Sequence, residues 1–227
     1  MSTASLGPAR GLNVVHLFCR PGPHVDSDLI RIAVADATQA GLQVVVAAIV
    51  GAKADSCFMA LGENLWDIRR FQSKLQAAGL VVAESYVSVT EVSEYAAGMP
   101  EEMVNQRLYP SLPPAGMNAF CFYPMSKARG DVHNWYALDY EAREALMRGH
   151  GAIGRTFRGR VLQLVTGSTG LDDWEWGVTL FAVHVDDLKE CVYTMRFDEA
   201  TTLYGEFGPF YTGLVGTLDE VLDATLA

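Results

Sequence analysis

Nowhere in the 227 residues does an uninterrupted apolar run approach the ~20 residues that a membrane-crossing helix needs; the longest, Val44 to Val50, suits a buried strand. No membrane insertion is therefore expected, and the chain reads as soluble. Basic residues are also in short supply, with 17 Lys+Arg against 27 Asp+Glu and a formal net charge of -10. Binding to phosphate backbones demands a basic footprint, so nucleic acid is excluded as a partner. An anionic small molecule stays compatible if Arg and Lys line a local pocket, because contact-range hydrogen bonds outweigh a screened distant charge. Met1 to Arg10 lacks a basic region followed by an apolar core, which is unlike a secretory leader and points to the cytoplasm. The cysteines are few and scattered: Cys19, Cys57, Cys121 and Cys191 stand singly among apolar neighbours. That spacing fits neither a metal knuckle nor a disulfide framework and predicts buried thiols.

What is present is a repeated order of elements. Asn13 to Cys19 reads as a strand, Ser27 to Ala40 as a helix stopped by Gly41, and Leu42 to Val50 and Ser56 to Leu61 as strands. Asn64 to Ala78 has helical spacing with Gly79 as its stop, and Val81 to Thr90 is again a strand. The second half runs strand Ala119 to Met125, helix Tyr140 to His150, strands Val161 to Gly167 and Trp176 to Ala182, helix Asp187 to Thr202, strand Pro209 to Leu214 and a short helix Leu218 to Leu226. Strand, helix, strand, strand, helix, strand, twice over, predicts an α+β chain of two ferredoxin-like halves whose sheets could face each other. Residues 1–100 form the first half, the proline-rich 101–117 a connector, and 118–227 the second half.

Chemistry concentrates in the second half. Phe122-Tyr123-Pro124-Met125-Ser126-Lys127 pairs an oxidisable phenol with a cation, and His150 follows Tyr123 by twenty-seven positions. Phenol, cation and imidazole together suit redox chemistry on an anionic, metal-bearing substrate, since haem iron is commonly held by a proximal His. Taken singly, each has an ordinary reading: Tyr123 as a half-buried aromatic beside a strand-ending proline, Lys127 as a solvated loop charge, His150 as a capping or core histidine. His16, His24, His133 and His184 keep that ordinary reading. Asp172-Asp173-Trp174-Glu175 could bind a metal or move protons, but acidic residues ahead of a strand are read here as turn chemistry. Arg196, on an otherwise packed helix, offers a planar fork suited to carboxylates.

Five segments in register carry a resemblance: Tyr123-Pro-Met-Ser-Lys127, Asn134-Trp135-Tyr136, His150-Gly-Ala-Ile-Gly-Arg155, Asp172 to Phe181, and Met195-Arg196-Phe197-Asp198-Glu199. Together they resemble the chlorite dismutase superfamily, and within it the decarboxylase branch. The match covers residues 105 to 213, whereas residues 1 to 100 match in element order alone.

The resemblance implies an α+β barrel made of two ferredoxin-like halves, with the porphyrin held by the C-terminal half and subunits assembled as a homo-oligomer, a ring of five. It implies His150 as the iron ligand and Tyr123 as the catalytic tyrosine, with Lys127 holding a propionate beside it. Arg107, in Arg107-Leu-Tyr-Pro110, and Arg196 would bind further propionates, Thr201 takes a position that is often serine, and Trp135, Met125 and Ser126 would line the pocket. Thirteen positions after His150, where chlorite-splitting members carry arginine, stands Gln163, a neutral amide that cannot restrain a developing hypochlorite as a guanidinium would. The implied reaction takes iron coproporphyrin III (coproheme) as both substrate and redox cofactor, uses hydrogen peroxide and leaves haem b, with transient contacts to other haem-synthesis enzymes. Chlorite dismutation and non-enzymatic haem binding are the alternatives. Glu199 is one candidate to orient His150, because metal-bound imidazoles usually donate their second N–H to an acceptor.

Overall fold

The computed structural model describes residues 5–96 and 98–226. Residues 1–4 of the segment read as lacking a leader lie outside the described residues, as do Ala97 and Ala227. The first half contains β1 (Asn13–Pro21), α1 (Ser27–Gln39), β2 (Gln43–Val50), β3 (Ser56–Gly62), α2 (Leu65–Ala77) and β4 (Leu80–Thr90). Asp26 and Asn64 cap α1 and α2 by accepting first-turn amide protons. Gly41 and Gly79, just past each helix, take the left-handed φ values of 91° and 92° that let the chain reverse.

β1 to β4 pair antiparallel in the spatial order β4-β1-β3-β2. After α3 (Glu101–Leu108), the second half repeats the pattern with β5 (Ala119–Lys127), α4 (Tyr140–Arg155), β6 (Val161–Gly167), β7 (Trp176–Ala182), α5 (Val185–Met195) and α6 (Glu199–Tyr204). It ends with β8 (Gly205–Phe207), β9 (Tyr211–Val215) and α7 (Leu218–Thr225). Here the order is β9-β5-β7-β6, the same ferredoxin-like arrangement as in the first half. The two sheets join through β2–β9 and through β4–β6, where Val89 pairs with Gly167 and Thr90 with Thr166. Eight strands thus close into one antiparallel barrel without free edges, and β8 adds a short ribbon to β5.

Side-chain alternation sorts the core into layers. Val14, Phe18, Met59, Phe120, Phe122 and Phe181 fill the barrel. Val15, Leu17, Phe58 and Ala60 face outward to α1 and α2, while Ala119, Cys121, Tyr123, Val178 and Leu180 face outward in the second half. All four cysteines are buried and free.

Four sequence expectations need correction. The helix expected to end at His150 runs on to Arg155 through Gly149, Gly151 and Gly154, because packing against α5 and α6 overrides poor glycine propensity. The helix expected over Asp187 to Thr202 is two helices, broken at Arg196–Asp198, where Asp198 caps α6. The segment expected to be a plain connector holds α3, with Glu101 and Glu102 in its first turn and Arg107 in its last, matching the helix dipole at both ends. Pro124 does not end β5 either. It lies opposite the gap between β9 and β8, and its carbonyl accepts the Gly208 amide, so the N–H that proline lacks would have faced a loop.

His16 is fully buried inside the barrel, its ring tilted against that of Phe122 with centroids 4.2 Å apart, and with Nε2 2.9 Å from the Thr179 hydroxyl. Burial lowers its pKa from 6.5 to about 3. The unfolded chain therefore binds a proton between these values that the folded chain refuses, and stability is full above pH 6.5 and falls as pH drops toward 3. The slope this residue contributes is about 1.4 kcal/mol per pH unit in that window. Denaturant titrations of wild type and His16→Gln between pH 4 and 7 should show a shallower pH dependence in the variant; equal slopes would contradict a neutral buried His16.

Candidate active site

The outward face of β5, β7 and β6 is the floor of the site. Register places Met125 beside Trp176 and Gly167, Tyr123 beside Val178 and Val165, and Cys121 beside Leu180 and Gln163. Tyr123 and Gln163 are therefore on strands separated by one strand, roughly 10 Å apart across the sheet. Val165 is 42% exposed although it sits in the middle of this floor, so the face is open where an apolar side chain would ordinarily be covered.

Helix α4 forms the opposing wall. A methyl group on Gly154 would lie 3.6 Å from Gln163 Nε2, so this face of α4 meets the floor at Gln163. His150, four residues earlier, shares that face. Its Nδ1 is 2.9 Å from Asp198 Oδ2, and the same oxygen accepts the Thr201 hydroxyl at 2.5 Å. Asp198 Oδ1 accepts the Ala200 amide at 2.9 Å. Burial alone would raise the Asp198 pKa, but hydrogen bonds from Thr201 and His150 bring it below the usual carboxylate value. An ionised Asp198 fixes the proton on His150 Nδ1, and the lone pair then resides on Nε2, which has no hydrogen-bond partner among the described residues. His150 is 29% exposed and Asp198 3%, an imidazole held from behind and open in front. The orienting carboxylate is thus Asp198, not Glu199, which is exposed on α6. An Asp directly ahead of a helix is an N-cap signal, and that signal could have singled it out.

Lys127 shares the outward face of β5 with Tyr123, four residues along. Only 6% exposed, it donates to the Ala200 carbonyl at 3.3 Å and lies 4.4 Å over the Trp135 ring. Burial lowers its pKa from 10.5 to about 8, partly opposed by Asp198 and Glu175. Trp135, in a short 3-10 turn capped by Asn134, packs on Tyr204 and Ala200. The Tyr123 ring stacks on Phe210 at 4.5 Å and contacts Phe207 at 5.7 Å. Burial pushes its phenol pKa up, so the O–H stays protonated. The Arg196 guanidinium sits 5.4 Å over Phe207, exposed and without an ion pair among the described residues.

The structure therefore gathers Tyr123, Met125, Lys127, Trp135, His150, Gln163, Arg196 and Thr201 around one face. Thr201 enters through its bond to Asp198, on the far side of His150. Ser126 points the other way, on the barrel side of β5, where its Oγ accepts the Glu175 amide at 3.2 Å. Arg107 is exposed at the end of α3 and shares no hydrogen bond, ion pair or stacking contact with these residues. The acidic run is structural, as its turn reading predicts: Asp172 accepts the Val87 amide at 2.8 Å, and Glu175 accepts the Lys127 amide at 2.8 Å and pairs with Arg129. No group of three or more His, Cys, Asp and Glu that could hold a metal ion occurs among the described residues. Sequence reasoning missed Phe207 and Phe210, whose separation from Tyr123 in the chain gives no periodic signal.

Barrel and site together define the chain as a member of the chlorite dismutase family, whose family model matches residues 28–216. It is 44% identical over 185 residues to the coproheme decarboxylase of Staphylococcus saprophyticus, spanning 77% of this chain and 74% of that protein. With the coproheme decarboxylase of Staphylococcus carnosus it shares 45% over 177 residues, 74% of this chain and 70% of that one. Among solved structures, a heme-binding protein from Thermus thermophilus superposes with a TM-score of 0.85 at 34% identity, covering 96% of this chain and 95% of the other. A chlorite dismutase from Candidatus Nitrospira defluvii shares the fold, with a TM-score of 0.75 at 22% identity over 97% of both chains.

Proposed function

We propose that this protein is a coproheme decarboxylase, which removes carboxyl groups from two propionates of iron coproporphyrin III with hydrogen peroxide and leaves haem b. The observation that carries the reading is the pairing of buried Tyr123 with buried Lys127 on one strand face, opposite an anchored His150 and beside a glutamine. Each decarboxylation balances as propionic acid plus hydrogen peroxide giving vinyl, carbon dioxide and two waters.

The iron of the bound substrate supplies the oxidising power once peroxide reaches it, and the chain's residues direct that power. His150 Nε2 is the donor for the iron, with Asp198 increasing its basicity. The Tyr123 phenol, kept protonated by burial, surrenders a hydrogen atom and then takes one from the β-carbon of a propionate held near it. Lys127 binds that propionate's carboxylate, and Arg196 and Arg107 bind others. Charge-assisted pairs of this kind contribute about 1.5–3 kcal/mol each. Trp135 holds Lys127 by its ring face, Met125 lines the floor, and Ser126 acts through the Glu175 turn. Thr201 steadies Asp198. A haem carrier would need the iron ligand and would leave Tyr123 and Lys127 without a task.

The chain divides into two halves at residues 101–117, works in the cytoplasm and assembles as a homo-oligomer, a ring of five. No helix among the described residues is long and apolar enough to cross a membrane.

Gln163→Arg tests the choice between decarboxylation and chlorite splitting. The wild type should release little oxygen from chlorite, and the variant should gain modest turnover. The gain is limited because errors near 1 Å in placing a catalytic group cost roughly a hundredfold in rate. Robust oxygen evolution by the wild type in an electrode assay would reverse the choice.

A further inference from the structure

Tyr123 shares its burial with two thiols. Cys121 precedes it by two residues on the same face of β5, about 6.6 Å away along the strand. Cys191 comes down from α5 onto the same cluster. The three side chains are 8%, 5% and 1% exposed for Tyr123, Cys121 and Cys191, and both thiols are free. Neither takes part in the proposed decarboxylation.

We propose that Cys121 and Cys191 form a reducing lining around Tyr123, returning a hydrogen atom to its phenoxyl radical when no propionate C–H is within reach. In this step the S–H bond breaks and the phenolic O–H re-forms; the tyrosyl radical is reduced by one electron and the sulfur is oxidised by one, to a thiyl radical. The inference rests on the radical role given to Tyr123 above. Burial raises the Cys121 thiol pKa to about 12 and that of Cys191 to about 11, so both keep the hydrogen that the step requires. The same burial keeps them from acting as thiolates, the form that peroxide oxidises directly. Oxidation at these positions should therefore pass through Tyr123. Cys19 and Cys57 are equally buried but pack in the other two layers, away from Tyr123, and serve as internal controls.

The test uses the full chain loaded with iron coproporphyrin III and given excess peroxide. Freeze-quenched electron paramagnetic resonance should show a tyrosyl signal that persists several-fold longer in Cys121→Ala/Cys191→Ala than in wild type. In wild type, dissolved dioxygen should trap the thiyl radical as sulfinic or sulfonic acid, so peptide mass spectrometry should find oxidation at Cys121 or Cys191, none at Cys19 or Cys57, and none at any of the four in Tyr123→Phe. A tyrosyl signal that decays equally fast in both proteins, or cysteine oxidation that survives Tyr123→Phe, overturns the lining. Absence of any tyrosyl signal would instead remove the radical role of Tyr123, and this inference with it. Should the double variant fail to fold, the peptide pattern in wild type and Tyr123→Phe decides alone.

Discussion

Tyr123→Phe should bind iron coproporphyrin III with near wild-type affinity and form no haem b above background. The phenol makes no hydrogen bond to the protein among the described residues, and its ring is held by Phe207 and Phe210, contacts that phenylalanine preserves. What the substitution removes is the O–H whose hydrogen atom the reaction borrows. Binding and turnover should therefore separate completely, as followed by absorbance titration with the porphyrin and by chromatography after peroxide addition. Product at near wild-type rate would remove Tyr123 from the mechanism.

The second large effect is expected for His150→Ala. Losing the imidazole removes the one nitrogen that the structure holds open and orients from behind. Propionate contacts through Lys127 and Arg196 survive, so porphyrin affinity should fall far less than activity, and the ferric spectrum should change. Added imidazole should restore part of the wild-type spectrum by occupying the vacated space. Asp198→Asn should give a smaller loss, about 10–100-fold, typical of a group that orients a metal ligand. A His150→Ala spectrum identical to wild type and indifferent to imidazole would mean that another residue holds the iron.

How far the fold could be read from the chain depended on how local its signals were. Val44 to Val50 declares a buried strand by composition, and Gly41 and Gly79 stop their helices at the expected places. Both ferredoxin-like patterns follow from such local signals. Barrel closure does not, because β4–β6 rests on two residue pairs more than seventy positions apart. The glycines of α4 gave the opposite signal to the one packing imposes, and the break at Arg196–Asp198 is set by a cap that reads as an ordinary acidic pair.

The site divides in the same way. Tyr123, Met125 and Lys127 share a face by the two-residue period of a strand, which sequence shows directly. That same period sends Ser126 to the barrel side, so adjacency in the motif overstated its closeness to the others. The meeting of α4 with Gln163, and of His150 with Asp198, joins elements whose separation carries no period, and only the folded chain displays it.

Mass spectrometry of the porphyrin after peroxide titration of the purified protein tests the central claim most directly. Iron coproporphyrin III should pass to a three-propionate intermediate and then to haem b, each step losing the mass of one carbon dioxide and two hydrogen atoms. Porphyrin that stays at its starting mass, or bleaches without vinyl products while the protein remains folded, would contradict decarboxylation and leave binding as the function.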